Sequence, residues 1–296
     1  MPKFSFMVPV YNKEAYLARC MGSLLQQTFD DFEVVIVDDC SKKDNSYPML
    51  KMLSNFDSRI KLYQNKENLG LGKTRNELLK RATGDYVIFV DPDDYVELKL
   101  LEKINEALEA DSELEIVRFQ NISEPATVKQ FKVEEKKNPY RFCCEPTGVI
   151  SGEEAVMKWM LGIDKINTMP WTYAVKRELY KGAEYPDIPV LEDFAITPYL
   201  LAQAKKVQAI DYVGYHYLQY DDSLTKSGDS IEEKIKFRKS KLSYFADVVL
   251  LAKKLMDTTK ISEVVKATYY ADILNRYDDK VKKYESLVAE SKQKKF

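Results

Sequence analysis

Three carboxylates fall within four positions at Asp91-Pro92-Asp93-Asp94, directly after the apolar run of residues 86–90. Like charges this close repel each other, and a divalent cation removes the repulsion. Hard ions such as Mg²⁺ and Mn²⁺ take carboxylate and phosphate oxygens together, so one ion can join the protein to a diphosphate. Pro-Asp and Asp-Asp are also ordinary turn residues, which makes a solvated acidic turn the competing reading. A second pair, Asp38-Asp39, ends another apolar run at residues 32–37 and weakens that alternative. The stretch Asn68-Leu69-Gly70-Leu71-Gly72-Lys73-Thr74-Arg75-Asn76 has the glycines and cations of an anion loop. It is neither a Walker A sequence nor a dinucleotide fingerprint, since Arg75 stands where a third glycine belongs, and a tight turn with surface cations explains it equally well. The chain has one histidine, His216. Hydrolases that need a His base, and zinc sites built from His or clustered Cys, are therefore disfavoured. Carboxylates are left to carry the chemistry.

Each acidic cluster needs a rigid element behind it. Residues 4–10 (Phe-Ser-Phe-Met-Val-Pro-Val) form a first strand that stops at Tyr11-Asn12. Leu17, Cys20, Met21, Leu24 and Leu25 then recur at helical spacing, with Asn12 as the expected N-cap and Glu14 in the first turn. Strands are expected at 32–37, 60–63, 86–90 and 114–119. Helices are expected at about 46–54, 70–82 (Leu78, Leu79 and Ala82 inward) and 97–110. This alternation predicts an α/β fold with a parallel sheet covered on both faces. In such sheets ligands bind beyond the carboxyl ends of the strands, where Tyr11-Asn12, Asp38-Asp39 and the Asp91–Asp94 cluster fall. Residues 121–150, with a Lys- and Glu-rich stretch at 132–137, read as a long loop or hairpin. A mixed region, 151–220, holds Trp171, Glu192-Asp193 and His216. From about Ser230 the pattern is helical and rich in lysine.

The motifs Val8-Pro9-Val10-Tyr11-Asn12, Ser23-Leu24-Leu25-Gln26-Gln27-Thr28, Val37-Asp38-Asp39-Cys40-Ser41, Asn68-Leu69-Gly70 with Arg75-Asn76, and Gly84-Asp85-Tyr86 leading into Asp91-Pro92-Asp93-Asp94 stand in the order and spacing of family 2 glycosyltransferases. The chain resembles that family over about residues 4–220, most specifically in the first hundred. The resemblance implies the GT-A (Rossmann-like) fold, a nucleotide-sugar donor with a UDP-sugar as first choice, an Mn²⁺ or Mg²⁺ ion, and inversion at the anomeric carbon. It places Pro9, Val10, Tyr11, Asn12 and Asp39 around base and ribose, with Arg75 nearby. It sets Asp91 and Pro92 against ribose or metal, and Asp93 as metal ligand. Cys40 departs from the family's usual glycine. Leu191-Glu192-Asp193-Phe194 resembles the family's acidic pair ahead of a helix. Direct displacement needs a base for the acceptor hydroxyl; Asp193 is expected to be that base and Glu192 to orient acceptor or base. His216, followed by Ser223-Leu224-Thr225, resembles a segment of bacterial members, and the ring is a candidate to complete the metal shell or touch the diphosphate. Trp171 is a candidate floor for a sugar ring, with core packing as the alternative.

The implied organisation is a nucleotide-sugar-binding half (1–120), an acceptor-binding half (121–228) and a helical extension (229–296). The 296 residues suffice for one large core, and the formal net charge of −2 gives no reason to expect nucleic acid. No run of about 20 apolar residues exists, and the N-terminus lacks a signal-peptide pattern. Cys20, Cys40, Cys143 and Cys144 have no C-x-x-C spacing and are expected as reduced thiols, in keeping with a cytoplasmic location. The acceptor is expected to be a carbohydrate, or a lipid- or protein-linked glycan of cell-surface polysaccharide, teichoic acid or glycoconjugate. The stripe Phe237, Leu242, Phe245, Val248, Val249 and Leu251 is expected to dock on the body, on a second subunit, or against an anionic inner membrane face. A sugar nucleotidyltransferase and a catalytically silent nucleotide-sugar-binding protein are the rival readings. The first should carry a Gly/Arg-rich loop where Tyr11-Asn12-Lys13-Glu14 stands. The second should lack the metal or base residues.

Overall fold

The computed structural model describes residues 1–125, 145–163, 166–220 and 230–293. Cys143, Cys144, the 132–137 stretch and Ser223-Leu224-Thr225 lie outside them. In chain order the elements are β1 (Phe4–Val10), α1 (Glu14–Leu25), β2 (Phe32–Asp38), α2 (Ser46–Phe56), β3 (Ile60–Gln64), α3 (Leu71–Arg81), β4 (Tyr86–Phe89), β5 (Tyr95–Val96), α4 (Leu100–Ala110) and β6 (Ile116–Pro125). They continue as α5 (Gly152–Leu161), β7 (Tyr173–Lys176), α6 (Asp193–Gln203), β8 (Val207–Gln219), α7 (Ile231–Asp257) and α8 (Glu263–Gln293).

Among the described residues one sheet runs β3-β2-β1-β4-β7-β6-β8-β5. β1 and β2 are buried at every position, so they read as continuous apolar runs instead of alternating ones. Phe6, Val8, Val34 and Ile36 pack on one face with Leu17 and Leu24 of α1 and Leu50 of α2. Met7, Val35 and Val37 pack on the other with Leu78 of α3 and with α5 and α6. The sheet is mixed, which corrects the expectation of a parallel one. β1 pairs β2 and β4 in parallel, but β7 runs antiparallel to β4 and β6, and β5 antiparallel to β8. β6 and β8 pair in parallel, so the mixed character comes from β7 inserting antiparallel between β4 and β6 and from the short β5 pairing antiparallel with β8 at the far edge.

Asn12 does not cap α1. Its φ of 51° turns it out of line, Lys13 takes the N-cap position, and the Asn12 carboxamide oxygen accepts from the amides of Lys42 and Lys43 instead. Ser46, the first residue of α2, and Asp44, from the loop after β2, accept from the amides of Lys13 and Glu14 respectively. The cap of α1 is thus supplied from another strand end, which no local sequence signal could reveal. α4 begins at Leu100, later than expected, because β5 takes residues 95–96 into the sheet.

α7 starts with a capping box, Ser230 and Glu233 satisfying each other's amides. Phe245, Val248, Ala252, Leu255 and Met256 of α7, with Tyr269 and Ile273 of α8, join the core of α5 and α6. The Phe245 ring meets Phe194 at 4.9 Å. Burying one such side chain contributes about 1.5–3 kcal/mol. The C-terminal part of the expected stripe therefore docks on the body, while Phe237 and Leu242 stay partly exposed. No described helix is long and apolar enough to cross a membrane.

Candidate active site

Strand order reverses at β1: β2 and β3 lie to one side, and the chain returns to add β4 on the other. Loops leaving β1 and β4 must diverge there, which makes their carboxyl ends the natural ligand site. Val10 is level with Asp38 and Met7 with Phe89, so Tyr11-Asn12, Asp38-Asp39 and Asp91–Asp94 leave the sheet side by side. Val10 accepts from Asp39 on the β2 side and Met7 from Val90 on the β4 side. Pro9 therefore faces β4 beyond the last rung, and its missing N–H strands no partner. Val10 is buried, whereas Tyr11 is 43% exposed at the mouth.

Asp38 and Asp39 hold loops. Asp38 accepts from the Ser41 amide and the Gln64 carboxamide at 3.0 and 2.9 Å. Asp39, buried, accepts from Asn65 Nδ2 and the Leu69 amide at 2.8 Å and from the Gly70 amide at 2.9 Å. Its carboxylate thereby fixes the start of α3. Cys40 sits at φ 62°, which explains why a glycine suits this position.

The carboxylates of the Asp91–Asp94 cluster point three ways. Asp94 is buried, accepting from Tyr215 Oη at 2.7 Å and the Leu218 amide at 2.8 Å; Tyr215 in turn accepts from the Asp91 amide. Burial and the fields of Asp91 and Asp93 push Asp94 well above the usual carboxylate range. One member of the cluster thus staples β8 to the end of β4, so not all three carboxylates are left to face a cation. Asp93 pairs with Lys13 Nζ at 2.6 Å, and its carbonyl accepts from Arg19 at 2.8 Å. Asp91 faces Arg75 at 3.7 Å; burial pushes its pKa up to about 6 against the pull of that guanidinium. The Cys20 thiol, packed behind the cluster, is pushed well up by burial and by the acids.

Arg75 is the hinge of the site. Its guanidinium is buried between the rings of Phe89 and Tyr185 (5.4 and 5.5 Å to the centroids), facing Asp91 and ion-paired to Glu192. Asn76 holds Tyr185 in place by exchanging hydrogen bonds with its main chain, at 2.9 and 2.8 Å. The contact needs Gly72, where a Cβ would lie 2.2 Å from the Pro186 carbonyl. Leu191, at φ 70°, turns the chain sharply into α6, so that Glu192 aims at Arg75 and Asp193 opens the helix. Burial and the adjacent Glu192 raise the Asp193 pKa to about 7, while Arg75 and a hydrogen bond from Thr168 hold it down. A carboxyl that titrates near neutrality suits a general base.

The structure thus gathers Pro9, Val10, Tyr11, Asn12, Asp39, Asp91, Pro92 and Asp93 at one sheet edge and links Glu192 and Asp193 to them through Arg75. His216 stands apart from this group. Its Nδ1 meets Glu124 at 2.7 Å and its Nε2 meets Glu97 at 2.8 Å, with the Tyr95 ring stacked on it at 4.2 Å. Both ring nitrogens are thus engaged by carboxylates other than Asp91 and Asp93. Trp171 is buried in a stack with Tyr215 and Tyr217 and is core. Sequence reasoning missed Lys13 and the bridging of Arg75. Lys13 adjoins Asn12, but nothing in its spacing foretells Asp93, 80 residues on.

Among the described residues no three His, Cys, Asp or Glu groups converge as a protein-only metal cage. Asp91 and Asp93 are hard oxygen donors at the mouth of the switch point, and Mg²⁺ or Mn²⁺ is commonly held by one or two carboxylates completed by substrate phosphates. The donor set therefore fits an ion completed by a diphosphate.

Residues 5–157, more than half of the chain, match the model of Glycosyl transferase family 2. The uncharacterized glycosyltransferase EpsJ of Bacillus subtilis is 28% identical over 232 residues, covering 76% of this chain and 64% of that protein. The poly(ribitol-phosphate) beta-N-acetylglucosaminyltransferase TarS of Staphylococcus aureus is 40% identical over 103 residues, 34% of this chain and 18% of TarS. The chain thus spans less than two thirds of these relatives. The crystal structure of S. aureus TarS 1-349 in complex with UDP matches with a TM-score of 0.69 at 24% identity, over 93% of this chain and 71% of that one. A mannosyltransferase from Pyrobaculum calidifontis in complex with GDP-Man and Mn²⁺ matches with a TM-score of 0.59 at 15% identity, over 99% and 75%. The shared architecture is the GT-A fold.

Proposed function

Because the chain belongs to Glycosyl transferase family 2, we propose that it moves a sugar from a nucleoside diphosphate, with UDP as first choice, to an acceptor hydroxyl with inversion. The observation that carries this reading is the Arg75 bridge. One buried guanidinium ties Asp91, at the donor end of β4, to Glu192, beside the candidate base Asp193. Tyr11 and the loop held by Asp39 receive base and ribose, and Asp91 and Asp93 hold the ion. When bound, that ion neutralises the charge developing on the leaving diphosphate. Asp193 takes the proton of the acceptor hydroxyl as its oxygen attacks the anomeric carbon and the bond to the diphosphate breaks. Glu192, held by Arg75, positions Asp193 and keeps its pKa raised.

In this reading residues 1–120 serve the donor, 121–228 the acceptor, and 229–296 dock on the acceptor half. The relatives point to a cell-surface glycan or teichoic acid as acceptor, and TarS, an N-acetylglucosaminyltransferase by name, makes UDP-GlcNAc the first donor to try. Calorimetry with UDP, with and without Mn²⁺, tests the donor side: affinity should rise with the ion, and Asp93→Ala should abolish the rise. Equal affinity under both conditions would sink the metal-bridged diphosphate.

A further inference from the structure

Most of the donors that could receive an anion at the carboxyl edge of β1 are already engaged. At the start of α1 the Asn12 amide donates to Ser41 Oγ at 2.8 Å, Lys13 to Ser46 Oγ at 2.7 Å and Glu14 to Asp44 Oδ2 at 2.9 Å. A phosphate that would ordinarily use a helix start finds those amides taken. The Leu69 and Gly70 amides before α3 are held by Asp39 in the same way. Arg75 is buried between Asp91 and Glu192. Arg19 donates to the Asp93 carbonyl and to Tyr220 Oη, at 2.8 and 2.6 Å, and Lys73 pairs with Asp187.

Lys13 differs from these groups. Its ammonium lies 2.6 Å from Asp93 Oδ2 and 5.4 Å from the centre of the Tyr16 ring, with the two side chains of the pair 33% and 24% exposed. Asp93 is fixed at its main chain, because its carbonyl accepts from Arg19 and from Tyr220 Oη, and the Tyr220 ring packs on Tyr16 at 4.5 Å. Lys13 is fixed at its main chain too, by Ser46, but its ammonium rides on a flexible four-carbon stem at the mouth of the site. The pair thus joins an anchored carboxylate to a movable cation. So exposed a pair is weak and easily exchanged.

Asp93 is also a candidate ligand of the divalent ion. An ion drawn to it meets a positive charge already on one of its two oxygens, and like charges at that distance repel. A diphosphate arriving with the ion changes the balance, since its oxygens offer the ammonium a charge-assisted hydrogen bond in exchange for the one it gives up. We propose that Lys13 is a displaceable counter-ion of Asp93: it yields the carboxylate to the ion and carries its ammonium to the donor's diphosphate, so that ion and diphosphate bind as a unit. The proposal rests on the donor reading above, in which Asp91 and Asp93 hold the ion. It makes Lys13 oppose the ion alone and favour the ion together with the nucleotide.

The test compares wild type, Lys13→Met and Lys13→Arg in two titrations. The first uses Mn²⁺ alone, with the free ion followed by paramagnetic resonance, and needs no nucleotide. Lys13→Met should bind Mn²⁺ about tenfold more tightly than wild type, because Asp93 has lost its competing cation. The second uses UDP, followed by calorimetry. At saturating Mn²⁺ UDP should bind Lys13→Met about tenfold more weakly, because the diphosphate lacks a charged donor. Without Mn²⁺ the two proteins should bind UDP alike, since Lys13 then stays on Asp93. The factor by which Mn²⁺ tightens UDP should therefore shrink, and by reciprocity the factor by which UDP tightens Mn²⁺ shrinks equally. Lys13→Arg keeps the charge and should keep most of this coupling. Lys13→Met should melt close to wild type, because so exposed a pair contributes little to stability. An Mn²⁺ affinity that is unchanged or weaker in Lys13→Met overturns the competition for Asp93. An unchanged UDP affinity at saturating Mn²⁺ overturns the move to the diphosphate. Failure of the donor reading would show separately, as absent UDP binding by wild type at any Mn²⁺ concentration, while the titration with Mn²⁺ alone still judges Lys13 against the ion.

Discussion

The half built on β1 to β4 and the half that leads into α6 both carry paired acids, and they satisfy them in different ways. In the first, Asp38, Asp39 and Asp94 accept amide or hydroxyl hydrogens and hold loops. In the second, Glu192 receives a buried guanidinium, and Asp193 is left with a pKa near 7. The difference teaches that acid density does not mark the reactive group. A raised pKa does not mark it alone either, since burial raises Asp94 too, but the Asp94 oxygens are taken by Tyr215 and the Leu218 amide, whereas Asp193 is raised to about 7 beside the Arg75–Glu192 pair.

The hardest test of this contrast is Asp193→Asn, which keeps size and hydrogen bonding but cannot take a proton. Transfer should fall by about 10²–10⁴-fold with UDP affinity unchanged. Wild-type turnover should rise with pH through about 7 and then level, because only the carboxylate is a base. Stability should move the other way. A carboxyl whose folded pKa is raised contributes nothing unfavourable while protonated in both states, and costs stability as pH climbs from the unfolded value through about 7. The Asn variant should therefore melt above wild type at pH 8 and close to it at pH 4. Near-normal transfer by this variant would move the base elsewhere and erase the distinction between the halves.

Arg75→Met probes the link itself. Removing one member of a buried pair leaves Glu192 uncompensated, at a cost of about 3–5 kcal/mol. UDP affinity and transfer should fall together, since Asp91 also loses its cation. Adding Glu192→Gln should restore much of the stability, the mark of a coupled pair. Denaturant melts of the single and double variants read both effects, and additive losses would mean that the two halves are energetically separate.

Much of the donor half was legible because its signals are local. Apolar runs gave β1, β2 and β4, and the acids after them marked the strand ends. What stayed hidden depends on contacts far along the chain. Asp94 looks like Asp93 in sequence, yet Tyr215 and Leu218, over 120 residues away, make it a staple. Arg75 was read as a nucleotide-side cation, but its meaning comes from Glu192, 117 residues on. His216 looked available as a ligand until β5 and β6 brought Glu97 and Glu124 to its two nitrogens. Side-chain type was readable and side-chain company was not.

Each half also places a non-glycine residue at positive φ beside its key acid: Cys40 at 62° after Asp39, and Leu191 at 70° before Glu192. Such a conformation costs an L-residue about 1–2 kcal/mol. Cys40 is partly exposed and its thiol reaches the Lys66 carbonyl at 3.5 Å, so little packing is lost with the side chain. Cys40→Gly should therefore stabilise the protein by up to about 1 kcal/mol once the freer unfolded chain is counted, a rise of roughly 2–4 °C in Tm. UDP affinity should not change, because Asp39 keeps its three hydrogen bonds to the 65–70 loop. Leu191 packs against the core of α5 and α6. There the strain relieved by Leu191→Gly is outweighed by lost packing and by freedom given to Glu192 and Asp193, so Tm and transfer should both fall. Opposite signs for the same substitution type would show that strain in the donor half is incidental, whereas at the entry to α6 it aims the base. A gain in Tm for Leu191→Gly with transfer intact would remove that distinction.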